Sequence, residues 1–194
     1  VAQTHHIQTV FVIVMENHNW TGASSGDIKG NPAAPYINYT LLPMASHANA
    51  YSNPPGNHPS LPNYIWMEAG SNLGITDDGP PVMHRLSTTD HLTTLLENAG
   101  MPWRAYEEDI TGTTCPLTPE GPLDANGNHL YQPKHDPFVY FDDQTNGQNP
   151  LSAKCIKHIR PYSQLASDLA NDTVARFNFI TPNLCHDMHD GCGG

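Results

Sequence analysis

The stretch Ile7-Gln8-Thr9-Val10-Phe11-Val12-Ile13-Val14-Met15 is nearly continuous, β-branched and apolar. Strands that read this way are buried on both faces, as in parallel sheets covered by helices. The run therefore predicts a central parallel strand. It stops abruptly at Glu16-Asn17-His18-Asn19. In open α/β sheets, ligand sites lie just beyond the carboxyl ends of the strands. These polar residues are thus functional candidates on position alone.

Working outward, Asn31 to Asn57 is rich in Pro, Asn, Ala and Tyr and predicts loop with one helical turn. After the Pro-bearing turn His58-Pro59-Ser60, Leu61 to Ala69 predicts a helix. Thr89 to Ala99 predicts another, with Asp90 as cap, an apolar stripe of Leu92, Leu95 and Leu96, and Gly100 past its end. Pro102 to Tyr106 predicts a short strand, Thr111 to Pro133 a loop rich in Gly, Pro and Asn, Tyr162 to Ala170 a helix, and Ala175 to Ile180 a strand. Strands alternating with helices favour an α/β fold with a mostly parallel sheet and helices on both faces, within one domain over residues 1–194.

Composition narrows the partners. Acidic residues outnumber basic ones, 19 to 8, for a formal net charge of -11. A nucleic-acid surface needs clustered Lys and Arg, and anionic lipid would repel this chain. A small phosphate ester remains compatible, provided a cation or amide groups receive its charge. No apolar run approaches the roughly 18 residues of a membrane span. With 18 Pro, 15 Gly and few charges, the chain reads as extracellular, and its start reads as a mature chain after signal removal. Four cysteines allow three pairings. Cys115 with Cys155 and Cys185 with Cys192 is the preferred one, because each pair closes a local loop. Three sequons, at Asn19, Asn38 and Asn171, suit the same compartment.

Three motifs carry chemistry. Glu16 and Asn17 place a carboxylate and an amide oxygen side by side, suited to one hard cation, although a turn is the blander explanation. In Asn57-His58-Pro59-Ser60-Leu61-Pro62-Asn63-Tyr64, a hydroxyl stands at the start of a helix, where backbone N–H groups can hold phosphate oxygens. A Ser there is otherwise a simple N-cap. Gly70-Ser71-Asn72-Leu73-Gly74-Ile75-Thr76-Asp77-Asp78 reads as a surface turn.

Together these segments resemble the secreted acid phosphatase/phospholipase C phosphoesterases, a branch of the alkaline-phosphatase superfamily. The resemblance extends through Ala99-Gly100-Met101-Pro102-Trp103-Arg104-Ala105-Tyr106-Glu107-Glu108-Asp109 and Lys134-His135-Asp136-Pro137-Phe138-Val139-Tyr140-Phe141. It closes with Phe179-Ile180-Thr181-Pro182-Asn183-Leu184-Cys185-His186-Asp187-Met188-His189-Asp190. It runs from about Thr9 to Gly191. It implies a three-layer α/β/α fold and a divalent metal ion held by Glu16 and Asn17. Ser60 matches the nucleophile that is transiently phosphorylated, and Asn63 an amide that steadies a phosphate oxygen. His135 and His189 match histidines that contact the phosphate or move protons. Asp187 matches a metal ligand or a group behind one. His5, His6, His158 and His186 read as surface residues.

The resemblance also implies ligands that this chain lacks: another acidic metal pair and a later histidine beyond Gly194. The fold is therefore expected to be incomplete at its C-terminus, since a hard cation wants about six oxygen ligands and two are present. Two functions follow. One is an extracellular phosphoric ester hydrolase acting on phosphate monoesters or phospholipid-type diesters. The other is a non-catalytic secreted glycoprotein that uses an exposed sheet edge for binding or self-association.

Overall fold

In a computed structural model, residues 7–21 and 26–192 are described; His5 and His6 lie outside them. The chain forms two compact units, one from Val1–Met15 with Gly56–Gly194 and one from Glu16–Pro55.

The larger unit carries strand β1 (Val10–Ile13), helix α1 (Ser60–Ala69), helix α2 (Leu92–Asn98) and strand β2 (Trp103–Glu107). A hairpin of β3 (Glu120–Leu123) and β4 (His129–Tyr131) follows. Helices α3 (Asp142–Thr145) and α4 (Ala153–His158), strand β5 (Ile159–Pro161), helix α5 (Leu165–Ala170) and strand β6 (Phe177–Thr181) complete it. The central sheet runs β1-β6-β2-β5 and all its pairings are parallel, with Val10 opposite Phe177 and Ala105 opposite Phe179. Helices flank it, as an α/β/α arrangement requires.

The core explains why α1 stands where it does. Its buried positions are Leu61, Pro62, Tyr64, Ile65 and Glu68, and all but Pro62 have the spacing of one helix face. That face packs on Trp103, Ala105, Phe138, Tyr140, Phe141 and Phe179. Each large side chain buried here contributes roughly 1.5–3 kcal/mol. Gly70, at φ 65°, ends the helix by donating its N–H to the Trp66 carbonyl. Ser60 and Asn63, on the other side of the helix, stay partly accessible.

Several expectations need correction. β1 is one of the two edge strands, with β5 at the other edge, and Val10, Phe11 and Ile13 are 41%, 41% and 59% exposed. Its continuous apolar pattern belongs to a strand covered on both faces, which this edge is not. α2 begins at Leu92 with His91 as its N-cap, not Asp90, and Leu95 points outward. The Thr111–Pro133 stretch contains the β3–β4 hairpin. His158 is no surface residue: its ring stacks on Trp103 at 4.6 Å and its Nδ1 lies 2.9 Å from the Trp103 carbonyl. The disulfides pair Cys115 with Cys155 and Cys185 with Cys192, as preferred from loop closure.

The smaller unit holds a helical turn at Tyr36–Leu41. Asn38 is its knot. The Asn38 Nδ2 group reaches the carbonyls of Ile28, Asn31 and Ala34, and its Oδ1 accepts from Gly30 N. This sequon asparagine is therefore committed to structure. No helix among the described residues is long and apolar enough to cross a membrane.

Candidate active site

In a parallel sheet every strand ends on the same side, here at Ile13, Thr181, Glu107 and Pro161. Beyond the end of β6 lie Asp187 and His189, with His135 beside them, and the helix that opens with Ser60 and carries Asn63 packs against the turn of His135. Ser60 opens α1 as its first helical residue. The N-cap is Pro59, so Ser60 does not serve as the side-chain cap. Asn63, one turn on, donates from Nδ2 to the Pro59 carbonyl at 2.8 Å and accepts from Asn57 Nδ2 at 2.9 Å. An amide nitrogen carries two hydrogens, so the bond to Pro59 occupies one of them.

His135 ends the 3₁₀ turn Pro133–His135, which packs against α1. The His135 ring stacks on Tyr64 of α1, with centroids 4.9 Å apart and planes 12° apart. Its Nδ1 lies 3.2 Å from Asp187 Oδ2, and both side chains are buried. The other oxygen, Asp187 Oδ1, accepts the backbone N–H of His189 at 2.7 Å. The His189 ring lies 5.4 Å from that of His135, and its Nδ1 is 2.8 Å from Asp190 Oδ1. The Asp190 carboxylate bonded to Nδ1 fixes the orientation of the His189 imidazole, whereas Asp187 Oδ2 lies close to His135 Nδ1 without hydrogen-bond geometry and supplies negative charge beside that ring.

The Asp187–His189 loop is held in two ways. Cys185–Cys192 closes it covalently. Asn183, just past β6, accepts from Cys185 N and His186 N with Oδ1 and donates to Asp109 Oδ2 at 2.7 Å. Met188, between the two site residues, has φ 77°. A left-handed backbone is a genuine outlier for a bulky residue and concentrates at functional sites.

A buried acidic group lies where β2 and β6 end. Glu107, at the end of β2, accepts from Thr181 Oγ1 at 3.0 Å and is fully buried. Burial and the nearby Asp136 charge push its carboxyl well above the usual range. Burial likewise raises Asp136 to about 7, although Tyr131 donates a hydrogen bond to it.

Glu16 and Asn17 open the smaller unit, directly after Met15. Asn17 takes a left-handed backbone, φ 63°, which Asn tolerates better than most residues. Their donors, a carboxylate and an amide oxygen, are the hard oxygens a divalent cation prefers.

Sequence reading missed Tyr64, Asn183 and the strain at Met188. Tyr64 and Asn183 lie inside the quoted motifs, so motif membership was the available signal. Nothing in the sequence marks the Met188 backbone.

The comparisons with known proteins come from the same segments. The profile of the Phosphoesterase family matches residues 47–193. The phosphatidylinositol-3-phosphatase of Mycobacterium tuberculosis is 29% identical over 182 residues, 94% of this chain and 52% of that protein. The phosphate-repressible acid phosphatase of Penicillium chrysogenum is 29% identical over 139 residues, 69% of this chain and 30% of that protein. A probable acid phosphatase of Kluyveromyces lactis is 26% identical over 137 residues, again 69% and 30%. The chain thus spans about half or less of the curated relatives it matches. With three quarters of its residues inside the family profile, the chain belongs to the Phosphoesterase family.

Proposed function

We propose that this chain carries the nucleophile and the histidine machinery of an extracellular phosphoric ester hydrolase, acting on phosphate monoesters or phospholipid-type diesters through a phosphoserine intermediate. The observation that carries the reading is the Tyr64–His135 stack. It joins the helix that begins at Ser60 to a histidine backed by Asp187. Family membership and the relatives' names support the ester chemistry. The two disulfides support an oxidising compartment.

In this reading both units belong to one phosphoesterase domain. Ser60 Oγ gives up its proton to solvent and attacks phosphorus, the Oγ–P bond forms, the P–O(ester) bond breaks, and the ester oxygen leaves with a proton from His135 or His189. Water then attacks the phosphoserine, gives one proton back to that histidine, and Oγ leaves with a proton from solvent, which returns Ser60 and releases phosphate from a monoester or a phosphate monoester from a diester. Charge on the equatorial oxygens of the transition state is met by the second Nδ2–H of Asn63 and by the Ser60 backbone N–H at the start of α1. Asp187 acts through His135, supplying negative charge beside that ring. Glu16 and Asn17 would hold a divalent cation, which would supply positive charge to the phosphate and acidify the Ser60 hydroxyl.

The test is an assay on a chromogenic phosphomonoester and the matching diester, with and without chelator, beside Ser60→Ala. Turnover lost in the variant and on chelation supports the reading, and the preferred ester separates the two substrate classes. Undiminished turnover in Ser60→Ala would remove the nucleophile.

A second reading is assembly, favoured by the exposed apolar residues of β1. Such an edge can pair with another strand. An inactive chain that sediments as an oligomer would select it.

A further inference from the structure

Asp78 has no part in the chemistry above, yet it touches both halves of it. Its Oδ1 accepts the backbone N–H of Leu61 at 2.9 Å, and its Oδ2 lies 3.3 Å from Lys134 Nζ. Leu61 directly follows Ser60, and Lys134 directly precedes His135. The Leu61 amide belongs to the first turn of α1, where backbone donors lack helical partners and a carboxylate is favoured. The turn that carries Asp78 is itself braced. Asp77 Oδ1 accepts from Gly79 N at 2.7 Å and faces His84 Nε2, and Tyr140 OH donates to the Gly79 carbonyl at 3.0 Å. Asp78 is therefore mounted on a turn fixed to the core, not on a free loop.

We propose that Asp78 is a positioning residue for the hydrolysis. One carboxylate sets the start of α1, and so Ser60, against the turn that carries His135, and Lys134 is the counter-ion that orients it. The Tyr64–His135 stack spans the same two elements from the other side. Loss of Asp78 therefore loosens the register without parting them. The proposal rests on Ser60 being the nucleophile. A purely structural helix cap would change stability and leave the kinetic pattern below unmoved.

The experiment compares Asp78→Ala, Asp78→Asn, Lys134→Met and the double variant Asp78→Asn/Lys134→Met with the parent protein and Ser60→Ala. Its two readouts are turnover of a phosphomonoester and hydrogen exchange at the Leu61 amide. Asp78→Ala is expected to lower kcat by about 100-fold at nearly unchanged KM, the scale of a small misplacement of reacting groups. Exchange at Leu61 should accelerate in the same variant. Asp78→Asn keeps an oxygen for Leu61 and should restore slow exchange, while kcat recovers only in part, to about 10-fold below the parent, because the tie to Lys134 is still broken. Lys134→Met should match Asp78→Asn, and the double variant should be no worse than either, because one tie is broken in all three. If Asp78→Ala fails to fold, the Asn, Met and double variants still decide. Losses that multiply in the double variant, or Asp78→Asn and Lys134→Met each within about twofold of the parent, would overturn the proposal. Unchanged Leu61 exchange in Asp78→Ala would do the same. Full turnover in Ser60→Ala would instead overturn the nucleophile reading, and this role with it.

Discussion

Two buried histidines in the larger unit meet carboxylates in different ways. His91, capping α2, is closed on both nitrogens: Nδ1 lies 2.8 Å from Glu68 of α1 and Nε2 lies 3.0 Å from Asp143 of α3. Thr93 and Thr94 complete that network by donating to Glu68 and Asp143. Burial opposes the His91 charge, but the bonds to Asp143 and Glu68 outweigh it and raise the ring to about 9. His135 stands beyond the sheet's carboxyl ends, with Nδ1 toward Asp187, its ring on Tyr64 and His189 beside it. The same residue pairing thus makes a rivet in one place and, in the proposed function, a reactive group in the other; what separates them is position relative to the strand ends.

Exchanging the two histidines gives the sharpest contrast. His135→Asn should lower kcat by roughly 10²–10⁴-fold, the scale of a general acid or base, with the fold retained. His91→Ala should leave the buried Glu68 carboxylate uncompensated and cost about 3–5 kcal/mol of stability, with near-normal kcat in the folded fraction. Denaturant unfolding and steady-state kinetics on both variants check this. A catalytic loss in His91→Ala matched to that of His135→Asn would erase the distinction.

The carboxylates should follow their histidines, with smaller effects. Asp187→Asn should reduce kcat by about 10–100-fold, as for partners of a functional imidazole. Asp143→Asn should cost about 1.5–3 kcal/mol, the range of a charged hydrogen bond, and little activity.

Smallest is the pH dependence of stability. His91 is raised from an ordinary value near 6.5 to about 9, so its contribution is complete below 6.5 and is lost as pH rises through 9. Asp136 is raised from 3.8 to about 7, so its contribution is present in acid and lost as pH rises through 7. Both favour acid. Thermal midpoints should fall from pH 5 to pH 9, and His91→Ala should flatten the upper part of that slope. A midpoint that rises over this range would contradict it.

The parallel sheet was legible because Val10–Ile13, Trp103–Glu107 and Phe177–Thr181 carry local apolar patterns strong enough to mark strands. The edge position of β1 was not, because an apolar run reports what a strand is suited to, not which neighbours it has. The α2 cap failed for a related reason. Asp90 is a good local cap, but His91 is fixed by Glu68 and Asp143, 23 and 52 residues away. Ser60, Asn63, His135, Asp187 and His189 were legible as candidates through the resemblance. How they are held was not, because the Tyr64 stack, the Asp78 tie and the Asn183 knot are tertiary contacts.

The central claim is that Ser60 attacks phosphorus. Acid-quenching the protein during turnover of a phosphomonoester and mapping phosphate by peptide mass tests it most directly. The account predicts phosphate on Ser60, and neither adduct nor turnover in Ser60→Ala. Turnover in the parent with no phosphate on Ser60, together with an active Ser60→Ala, would contradict it.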